Sequence, residues 1–240
     1  MASIAIEPQE VPRRTSWLVV FEVIAFAALA FGSRLLIAEH VWRFSGPISL
    51  VLTLAVLTLY MRARGIGWRD MGFIRLEGWK RKAMVLPKML VPFALFALAV
   101  GSVILVGEAT GFNRTETTGI EDRWAYIEGS LPMLALWLAI VWTSAAFGEE
   151  MLFRGYMVTR LADGLPDTRA RLAIAVLLPA LIFGYAHYYY QGLYGLVMTG
   201  MIGLAFGAAF LLLKRNIWPL VLLHGAIDTV AFVSLYFGEG

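Results

Sequence analysis

The chain has 240 residues, 60% of them hydrophobic, with a mean hydropathy of +0.73. Soluble domains run at about 45–50% apolar, so a water-soluble fold could not bury this much apolar side chain. A pI near 9.3 does not argue for nucleic acid, because the basic residues flank apolar runs instead of forming a patch. Cysteine is absent, which excludes a disulfide framework, a thiolate nucleophile and a cysteine-ligated zinc.

The N-terminal segment 1–16 is mostly polar and carries Arg13 and Arg14. The apolar run after it is too long for a signal-peptide core and reads as a retained first span. Stretches near the length of a bilayer crossing recur at 17–37, 47–61, 87–106, 130–152, 172–190, 193–213 and 217–236. The fourth is expected to continue as helix toward Arg160, and Pro179 to kink the fifth. A bilayer satisfies backbone polar groups only inside helices or closed barrels. The expected fold is therefore all-α, a polytopic membrane helix bundle of about seven transmembrane helices forming a single domain over 17–240.

Basic residues gather at Arg13 and Arg14, between Arg62 and Lys88, from Arg154 to Arg171, and at Lys214 and Arg215. The other side receives Arg34, Arg43, Arg114 and Arg123 with several acids. The positive-inside rule then predicts a cytoplasmic N-terminus and an external C-terminus. The connection from Arg62 to Lys88, with Trp68, Met71 and Trp79, reads as a topology determinant, with an interfacial segment on anionic lipid as the alternative. Gly107–Gly129 is the longest external loop and holds no catalytic motif.

Three pieces carry chemistry. Glu149, Glu150 and Arg154 lie in the fourth span, where charge at depth costs roughly 3 kcal/mol per group on the mildest scales. On a helix Glu150 and Arg154 share a face with the acid in the favourable N-terminal place, while Glu149 is rotated by about 100°. One carboxylate can thus be held by Arg154 while its neighbour is left to work on water. Phe183 and His187 are four apart in the fifth span, and His224 and Asp228 four apart in the seventh. His40, beside Glu39, reads as a solvated loop residue; Glu22, near the cytoplasmic end of the first span, reads as a structural or snorkelling acid, with pairing to the site as the alternative.

This ordered set resembles the CPBP intramembrane proteases, which include the type II CAAX prenyl endopeptidases and the bacterial Abi proteins. The likeness rests on Glu149-Glu150-x-x-x-Arg154, Phe183-x-x-x-His187 and His224-x-x-x-Asp228, and covers about 130–230. The resemblance implies that Glu149, helped by His187, activates the attacking water, and that Glu150 with Arg154 orders the helix. His224 and Asp228 would stabilise the oxyanion or position the substrate. The prenyl endopeptidases typically have Asn where this chain has Asp228; an ionised Asp cannot donate to an oxyanion, so Asp228 is either protonated or orients His224.

The expected partners are a peptide or membrane-protein substrate, lipidated or not, and membrane lipid, with no nucleic acid. The expected location is integral to a bacterial inner membrane. No cofactor is expected. The alternative is a zinc bound by Glu149, His187 and His224, with Asp228 a further ligand type of the right kind. A non-catalytic immunity or scaffold protein of the same fold, and a proton relay through Glu149 and His187 in a transporter, are the competing functions.

Overall fold

A computed structural model describes residues 15–112 and 124–238, and all regular structure among them is helical. Five stretches are long and apolar enough to cross a membrane by length and composition: Leu18–Ala63, Gly78–Thr110, Leu131–Gly164, Arg171–Leu212 and Trp218–Tyr236. The count is five continuous stretches where the sequence suggests about seven spans, because helix continues through two places where the chain reverses.

The first reversal separates α1 (Leu18–Val41) from α2 (Ser45–Ala63). Val41 leaves helical geometry at φ −140° and ψ 65°, and a single 3-10 turn, Trp42–Phe44, turns the chain. The two helices run back along each other, so Glu22 near the start of α1 meets Tyr60 near the end of α2. His40 therefore sits in the last turn of α1, exposed, and not in a loop.

After α3 (Leu90–Thr110) comes α4 (Leu131–Gly164), the centre of the bundle. Every residue from Met151 to Thr159 in α4 is buried. Leu152, Tyr156 and Leu161 pack with Val23 of α1 and Leu57 and Met61 of α2. Ala146, Met151 and Val158 pack against the opposite wall. Each such large side chain contributes roughly 1.5–3 kcal/mol of burial where the alternative is water. Over Val141–Val158 the helix is π-wound, with i→i+5 hydrogen bonds. Such geometry is rare and concentrates at functional sites.

The second reversal lies inside α5 (Arg171–Leu212), at Gly192, whose φ of 61° and ψ of −158° suit glycine alone. Pro179 stays helical, so the break is at Gly192 and not at the proline. The two arms close on a seam of small residues: Gly184 faces Leu196 and Gly200, Ala180 faces Gly203, and Val176 faces Gly207. A Cβ on Gly184 would stand 2.5 Å from the Leu196 carbonyl oxygen. Close backbone approach through small residues is how helices bind one another where no water drives them together. The last helix is α6 (Trp218–Tyr236).

The connection after α2 is folded into the end of the bundle. Met71 is buried, the Trp68 indole donates to Thr58 Oγ1 at 3.0 Å, and Ile217 N–H donates to the Gly72 carbonyl at 3.3 Å. Gly155 of α4 lies so close that a Cβ there would stand 2.8 Å from the Met71 carbonyl oxygen. Trp79 and Lys80–Lys82, on the short helix Gly78–Ala83, stand exposed as an interfacial segment would, and the charges on either side of Met71 and Gly72 are exposed as well. The outside of the bundle is apolar, with Leu36, Leu59, Leu98, Leu105, Leu181 and Val230 all exposed. A surface of that kind marks a membrane protein.

Candidate active site

The chemistry of α4 begins with a buried ion pair. Arg154 Nη1 donates to Glu150 Oε1 at 2.8 Å, with the two side chains 2% and 0% exposed. The same oxygen accepts from His224 Nδ1 of α6 at 2.9 Å. The guanidinium lies 4.7 Å from the Phe183 ring and 5.2 Å from the Phe206 ring, one on each arm of the α5 hairpin. Cation–π contacts strengthen when desolvated, so the two rings confine Arg154 as well as shield it.

Satisfaction is incomplete. Glu150 Oε2 and Arg154 Nη2 are buried without a hydrogen-bond partner among the described residues. A group left in that state costs about 1–3 kcal/mol, more when charged. Such a cluster is a poor staple for a fold.

Donor and acceptor logic fixes both imidazoles. A carboxylate and a carbonyl can only accept, so His224 donates from Nδ1 to Glu150, and His187 donates from Nδ1 to the Phe183 carbonyl at 2.9 Å. In each ring Nε2 remains for chemistry. His224 Nε2 stands 3.5 Å from Asp228 Oδ2 on the next turn of α6. His187 also lies against the Phe183 ring, with centroids 4.7 Å apart. Phe183 therefore serves both halves of the site.

Glu149, Glu150, Arg154, His187, His224 and Asp228 all line one cavity of 440 Å³. Glu149 is half-buried there and makes no hydrogen bond among the described residues. The α-helical spacing correctly joins Glu150 to Arg154. It does not foresee that the same carboxylate also holds His224, since that depends on how α6 docks on α4. Among the described residues no three His, Cys, Asp or Glu side chains stand in an arrangement that would hold a metal ion.

Residues 131–230 match a known family model. Its description is type II CAAX prenyl endopeptidase Rce1-like. The Rce1-like match bears out the family resemblance carried by the three motifs, and it takes in α4, α5 and most of α6. No curated protein and no solved structure gave a significant match. Outside the Rce1-like region, α1 still reaches the cavity through Ala27, Phe31 and Arg34.

Two lining residues escape a motif-based reading. Phe206 is an aromatic in an apolar run and gives no sequence signal. Arg34 does give one, a cation inside the first apolar run, but assigning it to a side of the membrane hides it. Glu22 stays apart from the site: its oxygens accept from Tyr156, Arg160, Tyr60 and Arg64 at 2.7–3.1 Å.

Proposed function

We propose that the protein is an intramembrane endopeptidase that hydrolyses a peptide bond with a water activated by Glu149. The observation that carries this reading is the one cavity in which a half-buried carboxylate, without a hydrogen bond among the described residues, meets two imidazoles oriented through Nδ1. The family match over 131–230 supports peptide hydrolysis as the reaction.

Glu149 takes a proton from water as the oxygen attacks the carbonyl carbon, and His187 Nε2 helps hold that water. Negative charge then develops on the carbonyl oxygen. His224, held through Nδ1 by Glu150 and protonated on both ring nitrogens, is assigned the donor from Nε2 to that oxyanion, and Asp228 at 3.5 Å orients it. When the C–N bond breaks, the proton held by Glu149 passes to the departing amine. Glu150 and Arg154 position His224 and do not touch the peptide. No resident metal takes part in this scheme, and neither zinc nor any other cofactor is assigned.

We further infer seven crossings with a cytoplasmic N-terminus, since the reversals at Trp42–Phe44 and Gly192 each return the chain across the layer. The chain has no cysteine, so single cysteines placed at Thr168 and Lys214 can be labelled from one side at a time. Both are expected to react from the cytoplasmic face. The membrane is proposed to be the bacterial inner membrane, and the substrate a peptide or membrane protein, lipidated or not.

The deciding experiment reconstitutes the wild type and Glu149→Gln in vesicles with a fluorogenic peptide, with and without a chelator. Cleavage by the wild type that is lost in Glu149→Gln and indifferent to chelation is expected. Equal cleavage by both proteins would remove Glu149 from the mechanism, and loss on chelation reversed by zinc would replace it with a metal-centred one.

A further inference from the structure

Most arginines that pack into the bundle have a carboxylate. Arg64 and Arg160 share Glu22, Arg154 holds Glu150, and Arg215 grips Asp163 at 2.7 Å through both terminal nitrogens. Arg34 does not. Its Nη1 donates to the Ala186 carbonyl at 2.9 Å, and no carboxylate pairs with it among the described residues. It is partly buried on α1 and lines the same cavity as Glu149.

Its surroundings hold the guanidinium in one orientation. The Tyr189 ring lies 5.3 Å and the Tyr190 ring 5.5 Å from its central carbon. The carbonyl it grips belongs to the residue just before His187, so the cation sits beside a residue assigned to the water. A guanidinium carries five N–H donors in a planar fork that suits a carboxylate bidentately. An unpaired cation at membrane depth is costly enough that a missing partner is the first question to ask of it.

We propose that Arg34 receives a carboxylate of the peptide substrate, so that the site selects peptides bearing negative charge close to the scissile bond. This rests on the protease reading and names its substrate class. The rest of the cavity wall, with Phe31, Trp137, Phe183 and Phe232, offers apolar surface, so the preferred peptide is apolar apart from that anion. The carboxylate can be the chain terminus or an acidic side chain.

The test measures fluorescence anisotropy of short labelled apolar peptides on the full-length protein in detergent, in a Glu149→Gln background that stops turnover. Three peptides are compared: a free C-terminal acid, its C-terminal amide, and that amide with one aspartate added. The free acid is expected to bind about tenfold more tightly than the amide. Arg34→Gln should erase that difference while leaving amide affinity unchanged, and Arg34→Lys should keep part of it. Recovery by the aspartate peptide assigns the charge to a side chain, and failure to recover assigns it to the terminus.

Equal weakening of acid and amide in Arg34→Gln would overturn the proposal, reducing Arg34 to a tie between α1 and the Ala186 carbonyl. The proposal also falls if the wild type cleaves acid and amide peptides equally well, which leaves the protease reading standing. Charge-selective binding without cleavage by the wild type would do the reverse.

Discussion

Two acids in this bundle, Glu22 and Glu150, are both held by arginine, yet they are treated differently. Glu22, with a side chain 12% exposed, accepts five hydrogen bonds spread over both oxygens, from Tyr156, Arg160, Tyr60 and Arg64. Glu150 is fully buried, takes two on one oxygen and leaves the other bare. A saturated carboxylate joins helices: α1, α2 and the far end of α4 meet at Glu22. An unsaturated one, next to a Glu149 with no hydrogen bond among the described residues, has capacity left for a ligand. The state of the second oxygen, more than the depth of the charge, separates a staple from a site.

That contrast can be broken in several ways. The largest effect is expected from Glu149→Gln, which should lower peptide cleavage by roughly 10²–10⁴-fold, the worth of a general base, with thermal unfolding in detergent unchanged or shifted upward. A clear fall in unfolding temperature would make Glu149 a staple after all. Next comes Arg154→Met, which strands Glu150 and should cost about 3–5 kcal/mol of stability. Adding Glu150→Gln to Arg154→Met should return part of that loss, and a strictly additive result in the double-mutant cycle would deny the coupling.

Glu22→Gln should cost about 2–3 kcal/mol, since hydrogen bonds to a charged group are the stronger kind. Its cleavage rate per folded molecule should match the wild type, and a reduced turnover number at full folding would draw Glu22 into the site. Asp228→Asn should change cleavage by only about threefold, because an amide can both orient His224 and donate to an oxyanion. Abolished cleavage there would show that the charge of Asp228, and not its position, is what matters. The smallest effect is expected for Tyr60→Phe, which removes one of the bonds at Glu22 and should cost about 1 kcal/mol in the same unfolding assay.

Much of the site is legible in the sequence because charge in an apolar run stands out. Glu149, Glu150, Arg154, His187, His224 and Asp228 are all visible on that ground, and the structure gathers all of them around one cavity. What joins them is less visible. The Glu150–His224 bond spans α4 and α6, and no spacing along the chain encodes which face of α6 turns toward α4. The π winding of Val141–Val158 is hidden for a similar reason, since an apolar run reads alike at either pitch. Helix ends are legible where glycine permits a sharp turn, as at Gly192, but Trp42–Phe44 reverses the chain with no glycine at the turn. The Arg62–Lys88 connection misleads for another reason. Its charges are exposed as expected, while Met71 and Gly72 between them are buried, and charge counting is blind to burial.

The glycine seam of α5 also acts as a gauge. His187 sits one turn beyond Gly184 on the first arm. Phe206, on the second arm, lies 5.2 Å from Arg154 and 6.1 Å from His224. The width of the gap between these walls is therefore set by how closely the arms approach, and that is set by missing side chains. A single methyl at Gly184 would have to push against the Leu196 carbonyl from 2.5 Å and force the walls apart. The width of the cavity is thus machined into residues that do not line it.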